Sequence, residues 1–237
     1  MRFSFFAAFI VLAACSPRAP SPAEQLVQQQ IENMQQRYQA EAKRIEPFEK
    51  QVRRDGQTLS ITADNGKTLR FTDNNPCIGY ECSLYDFKGM YAEAQFYRLN
   101  HIHAEFFIPD YLISRRSGTT TDMVGPLEEK NISPNGQLIV NAVGGDTGPD
   151  AAIYLWQIAD GELLPLVAHP FESYGYFTAM EWNPESTAVS FSKEGYFTEC
   201  KSDSRKEDWG TSSVVLQKQP EGWSILESNV QCRRTPS

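Results

Sequence analysis

Asn131-Ile132-Ser133-Pro134-Asn135-Gly136-Gln137-Leu138-Ile139-Val140 returns fifty residues later as Glu181-Trp182-Asn183-Pro184-Glu185-Ser186-Thr187-Ala188-Val189, proline over proline. Downstream of each copy lies a second match. Ile153-Tyr154-Leu155-Trp156, Asp160-Gly161 and Leu163-Leu164 answer to Val214-Val215-Leu216, Glu221-Gly222 and Ser224-Ile225-Leu226. A fainter third copy is Tyr111-Leu112-Ile113 followed by Ser117-Gly118. β-branched and aromatic runs bounded by Pro-Asx-Gly or Asp-Gly read as short strands joined by tight turns. Repetition in fixed order every ~45 to 60 residues is the sequence signature of stacked β units.

Outward toward the N-terminus the same chemistry continues. Gln57–Ala63 and Lys67–Thr72 flank Asp64-Asn65-Gly66, a hairpin signal. Asp73–Ser83 reads as a clipped loop, and Met90–Leu99, His101–Ile108 and Tyr111–Arg115 as strands. Before residue 56 the period changes. Ser21 caps, Pro22 suits the first helical position and Glu24 completes a capping box. Val27, Ile31, Met34, Tyr38, Ile45 and Phe48 then form an apolar stripe at helical spacing, interrupted by Glu41, until Pro47 ends or kinks the helix. The stripe fits either a coiled-coil stalk pairing two copies or a helix packed on its own domain.

The quoted stretch, taken with Ile153–Leu163, resembles the "SPDG-K-L" and "I-x-L-W-x-x-x-x-G" elements of WD40-like and TolB-like β-propellers. In those folds the Pro-Asx-Gly turn links the two inner strands of a blade and the Asp-Gly hairpin the two outer ones. The resemblance runs over about residues 90–228. It implies a mainly β protein: a small or incomplete β-propeller-like repeat domain at 56–237, preceded by one N-terminal amphipathic helix at 23–55. No copy carries the Gly-His and Trp-Asp pairs of WD40 blades. Two good copies and one or two weak ones are too few to close an ordinary propeller of about four to eight blades. The expected form is therefore an open stack, with the helix or a hairpin covering an exposed edge.

At the start of the chain, Met1-Arg2 and the apolar run Phe3–Ala14 make a secretory signal, too short for the roughly 20 residues a bilayer span needs. Leu12-Ala13-Ala14-Cys15 resembles the lipobox of bacterial lipoproteins. That resemblance implies removal of residues 1–14, diacylglycerol on the Cys15 sulfur, acylation of its amino group, and a tether at 15–22. Ser16, where aspartate would mark inner-membrane retention, implies an outer-membrane address facing the periplasm. Two or three acyl chains meet the requirement for stable anchoring.

Cysteine use fits that compartment. With Cys15 lipidated, Cys77, Cys82, Cys200 and Cys232 remain, an even number in an oxidising space. Of the three pairings, Cys77–Cys82 with Cys200–Cys232 joins neighbouring segments and is the one expected. The chain's 30 acidic against 22 basic residues, with no basic run longer than a pair, exclude a phosphate backbone as partner.

Chemical motifs are sparse. His101, His103 and Glu105 share one face if their segment is a strand, about 6 to 7 Å apart, a spacing that seats zinc or copper. Gly144–Asp150 is a glycine-rich acidic turn without the alternation of an EF-hand or the lysine of a P-loop. No Gly-x-Ser-x-Gly elbow or Ser-x-x-Lys is present. No catalytic residue, metal site or cofactor is assigned on this basis. The expected role is a non-enzymatic lipoprotein that binds another envelope protein, as an accessory subunit or an inhibitor or immunity protein. The alternative is an envelope hydrolase or metal-dependent enzyme using His101, His103 and Glu105. A binding loop is expected within 193–210. Pro134 and Ile153 are 19 residues apart, whereas Pro184 and Val214 are 30 apart, so the later copy carries an insertion. Tyr196, Phe197, Lys201, Asp203, Arg205 and Trp209 mark it, with Cys200 pinning it to Cys232.

Overall fold

The computed structural model describes residues 21–74, 82–103, 109–123, 125, 127–144, 151–171, 175–197, 200 and 209–233. The signal sequence, Cys15, Cys77, Glu105, most of the Gly144–Asp150 turn, and Lys201, Asp203 and Arg205 lie outside them. The chain divides into two compact units, Met1–Ala40 and Glu41–Ser237.

In the first unit the described chain is helix α1, Pro22–Ile45, as far as Ala40. Its start is the expected capping box. Ser21 donates its N–H to Glu24 Oε2 at 2.5 Å, and Glu24 donates its N–H to Ser21 Oγ at 3.3 Å. Two N–H groups that a helix start leaves unpaired are thereby satisfied. These same hydrogen bonds, the backbone one foremost, lower the Glu24 pKa. Val27 and Ile31 of the apolar stripe are exposed.

The second unit opens with the last turn of α1. The helical segment expected over 23–55 is shorter than that: α1 stops at Ile45, and Pro47 sits in a 3-10 turn at Glu46–Phe48. Proline's ring and missing N–H end the helical ladder there, and the next residues pair as strand. β1 (Val52–Asp55), β2 (Thr58–Thr62) and β3 (Thr68–Thr72) form sheet A. β4 (Ser83–Tyr91), β5 (Phe96–His103), β6 (Asp110–Ser114) and β7 (Thr120–Met123) form sheet B. β8 (Leu138–Val143), β9 (Ala152–Ala159) and β10 (Glu162–Pro170) form sheet C, and β11 (Gly175–Trp182), β12 (Ala188–Tyr196), β13 (Trp209–Gln219) and β14 (Gly222–Cys232) form sheet D. The protein is thus mainly β; its described residues form four antiparallel meanders in chain order after one α-helix.

Side-chain alternation decides which sheet each strand meets. Tyr97, Leu99 and Ile113 of sheet B pack on Val52, Leu59 and Ile61 of sheet A, with Ile45 and Phe48 beside them. Their neighbours Phe96 and Leu112 point to the other face, against Ile139, Trp156 and Ile158 of sheet C. From the opposite side of sheet C, Leu138, Val140, Ile153 and Leu155 meet Val189, Phe191, Val214 and Leu216 of sheet D. Sheets B and C therefore bury both faces, which is why Leu138-Ile139-Val140 and Ile153–Trp156 are continuous apolar runs. Among the described residues no cluster joins sheet D back to sheet A.

The two proline turns close alike. Ser133 N–H donates to Leu138 O and Gly136 N–H to Ser133 O, at 3.0 and 2.8 Å; Asn183 N–H donates to Ala188 O and Ser186 N–H to Asn183 O, at 2.9 and 3.0 Å. Gly136 and Ser186 both take positive φ, 69° and 57°. Glycine suits that conformation without strain, whereas Ser186 bears its cost. The turns also touch, through Asn135 N–H donating to Ser186 Oγ at 3.1 Å. The hairpins form a second row. Asp64 N–H donates to Arg115 O at 2.8 Å, and Arg116 Nη1, in the following turn, donates to Asp160 O at 3.0 Å, linking the turns of sheets A, B and C.

Buried charges tie these sheets together. Glu41, the polar interruption in the stripe, is fully buried. Its carboxylate accepts from Arg54 Nε and Nη2 and from Phe87 N–H, the last at 2.7 Å. Arg54 also donates to Asp73 Oδ2 at 3.1 Å and to Tyr85 O at 2.7 Å, while Asp73 Oδ1 accepts the Tyr85 N–H at 2.7 Å. One guanidinium thus fastens the end of α1, sheet A and β4. In sheet B, buried Asp110 accepts from Arg98 (2.8 Å), Leu127 N–H (2.6 Å) and Asn100.

Candidate functional site

The first candidate is the end of sheet D. β12 and β13 pair down to Gly195↔Gly210 and Tyr196↔Trp209, and Gly210 pairs in turn with Cys232 of β14. Cys200 is disulfide-bonded to Cys232 across a sequence separation of 32 residues, the expected bridge. Cys82 is disulfide-bonded too; Cys77 lies outside the described residues. Gly210 makes room for the bridge, because a Cβ there would stand 3.0 Å from Cys200 Sγ and 2.7 Å from the Gln231 carbonyl oxygen.

Aromatic rings surround this anchor. Tyr196 is exposed and meets Trp209 edge-on at 5.2 Å, and Trp209 lies 6.2 Å from Tyr176 of β11. Tyr196 ends β12 and Trp209 opens β13, so both stand on paired strands where a loop within 193–210 was expected. Tyr176 joins them through sheet pairing, a relation across strands that chain position does not reveal. Phe197 corrects an expectation: it is buried rather than part of the surface. With Phe171 it flanks the Lys193 ammonium, which lies 5.1 and 4.5 Å from the two ring centres. Lys193 is itself only 1% exposed and donates to Glu227 Oε1 at 3.1 Å, an oxygen that also accepts the Ser212 hydroxyl at 2.7 Å. A buried ammonium persists only with partners of this kind. Its burial was readable from alternation, since Val189, Phe191 and Lys193 share one face of β12.

The second candidate is on sheet B. His101 and His103 share a face of β5 as expected, their ring centres 5.6 Å apart. His101 Nε2 lies 2.8 Å from Ser83 Oγ, its Nδ1 lies 3.2 Å from the Tyr111 hydroxyl, and its ring stacks on Tyr85 at 4.5 Å. Burial, then His103, pushes the His101 pKa below the ordinary value, with Asp122 pulling it the other way; burial lifts Asp122 above its own. Register assembles this row, through the pairs Tyr85↔His101, Leu99↔Tyr111 and Tyr111↔Asp122. Ser83, Tyr111 and Asp122 were not singled out in the sequence, because only strand pairing brings them to His101. Both His101 nitrogens face protein partners, and among the described residues no three His, Cys, Asp or Glu side chains gather as a metal ligand set. His169 stands apart, edge-on to Phe171 at 4.9 Å.

No family model matches the chain. No curated protein matches it either. Among solved structures it is similar to the hydrazine synthase of Kuenenia stuttgartiensis, at 9% identity and a TM-score of 0.35, over 73% of this chain and 60% of that one. It is also similar to a Bacteroides uniformis protein described as a candidate 6-phosphogluconolactonase, at 10% identity and a TM-score of 0.31, over 77% of this chain and 56% of that one. The chain spans less than two thirds of the length of either. At these scores the likeness assigns no activity.

At the end of sheet D, exposed Tyr196 and half-buried Trp209 and Tyr176 stand on a paired-strand floor that the disulfide and the Lys193–Glu227 ion pair hold from below. No helix among the described residues is long and apolar enough to cross a membrane.

Proposed function

We propose that this chain is a lipid-anchored outer-membrane lipoprotein facing the periplasm, whose β domain binds another envelope protein as an accessory subunit or an inhibitor or immunity protein. The domain is an open, propeller-like stack in which each sheet acts as one blade. Sequential packing of sheets A to D and the rows of touching turns support this architecture. The observation that carries the binding role is the aromatic group Tyr176, Tyr196 and Trp209 at the base of the segment pinned by Cys200–Cys232. Rigid aromatic anchors supply much of the energy of protein interfaces, and a pre-tied segment loses less entropy on binding.

Shortening Ser202–Asp208 to a Gly-Ser link, with both cysteines kept, tests the role. Capture of the partner by cross-linking in intact cells is expected to fall at least about tenfold, the loss of roughly 1.4 kcal/mol of binding, while the melting temperature holds. Undiminished capture would remove the segment from the interface. The anchor has its own test. Cys15→Ser is expected to release the protein from the membrane fraction, as uncleaved precursor or soluble periplasmic protein; detergent partitioning like the unaltered protein's would refute lipidation.

A further inference from the structure

We infer that Ser83 and His101 form a nucleophile–base pair able to hydrolyse small carboxylic esters at the rim between sheets A and B, with Tyr111 as positioning residue. The geometry is that of an activated hydroxyl. Ser83 Oγ is 2.8 Å from His101 Nε2, within the reach that lets an imidazole take the hydroxyl proton. The other nitrogen is held as a base needs it held. Tyr111 oxygen stands 3.2 Å from Nδ1 and can accept a hydrogen carried there; in that tautomer the Nε2 lone pair faces Ser83. Stacking on Tyr85, itself 5.2 Å from Phe71 of sheet A, fixes the ring plane and supplies an apolar wall. The groups that face His101 are Ser83 and Tyr85 from β4, His103 from its own strand, Tyr111 from β6 and Asp122 from β7. Burial and His103 keep the imidazole neutral at pH 7, the state a base requires, and Asp122 favours the imidazolium that forms as the proton arrives.

The step balances without a cofactor. As Ser83 Oγ bonds to the ester carbonyl carbon, its proton passes to His101 Nε2. The carbon–oxygen bond to the alcohol then breaks, and the alcohol leaves with that proton. Water attacks the acyl-serine, gives a proton to Nε2, and the acid departs as the proton returns to Ser83 Oγ. The site lies on sheet B, away from the strands of the proposed protein interface, so this activity and partner capture are lost independently.

The test uses the mature protein, a fluorophosphonate probe and p-nitrophenyl acetate. In the probe reaction Ser83 Oγ displaces fluoride from phosphorus, leaving a stable adduct that peptide mass mapping locates. An adduct on Ser83 is expected, with ester turnover that disappears in Ser83→Ala and falls about 100-fold or more in His101→Gln, the contribution of a general base. Tyr111→Phe is expected to lower turnover less and to move the acid limb of its pH profile, a change that a purely structural role would not produce. No adduct on Ser83 of the unaltered protein overturns the inference, and so does an adduct formed equally fast in His101→Gln.

Discussion

Replacing Arg54 by alanine is expected to cost about 3 to 5 kcal/mol of folding stability, the usual price of leaving buried charges without their partner. Arg54 serves two carboxylates, Glu41 and Asp73, whose side chains have no solvent exposure, and its own side chain is 9% exposed. Its removal also takes a donor from the Tyr85 carbonyl. Loss of attraction is the smaller part of the effect; stranded carboxylates in a dry interior are the larger. The combination Arg54→Met, Glu41→Gln and Asp73→Asn is therefore expected to recover most of the loss. It removes all three charges while keeping an amide oxygen at positions 41 and 73 to accept the Phe87 and Tyr85 N–H groups. Urea denaturation of the variants checks this, and an Arg54→Ala protein within about 0.5 kcal/mol of the original, the ordinary scatter of surface substitutions, would mean the network is hydrated.

Removing the Cys200–Cys232 bridge, as the Ser/Ser pair, is expected to have the next largest effect. The chain-entropy relation gives roughly 4 kcal/mol for a loop of this separation, against about 2 for a short loop such as Cys77–Cys82 would close. β14 is the last strand of sheet D and has one neighbour, so the bridge holds both an edge strand and the segment before β13. For a chain of this size about 4 kcal/mol corresponds to a melting temperature lower by roughly 8 to 16 °C. Calorimetry of the oxidised protein beside the double variant reads it directly. A shift below about 3 °C would show that strand pairing alone holds this end of the sheet.

Sequence made some of this plain for physical reasons that act locally. Turn chemistry is local, so Pro134-Asn135-Gly136, Asp64-Asn65-Gly66 and Asp160-Gly161 each mark their turns, and Gly136 and Gly161 both take the positive φ that favours glycine. Capping is local as well, and Ser21 and Glu24 pair as their spacing suggests. What depends on strand-to-strand register was hidden. Glu41 reads as a flaw in an apolar stripe because its partner Arg54 lies thirteen residues on, in a strand mistaken for helix. Ser83 and Tyr111 look ordinary until β4 and β6 pair on either side of His101. Phe197 misleads because an aromatic in a loop suggests exposure, yet it is buried against Lys193, whose own burial follows from the alternation of β12.

The binding role is tested most directly by a photo-activated cross-linking residue placed at Tyr196 in intact cells, with the same residue at Thr72 of β3, on the outer side of sheet A, as the control. One discrete cross-linked species is expected from position 196, formed with a single envelope protein, absent from position 72 and absent when Ser202–Asp208 is shortened. Equal labelling from both positions, or none from 196 in cells where the protein is correctly anchored, would contradict it.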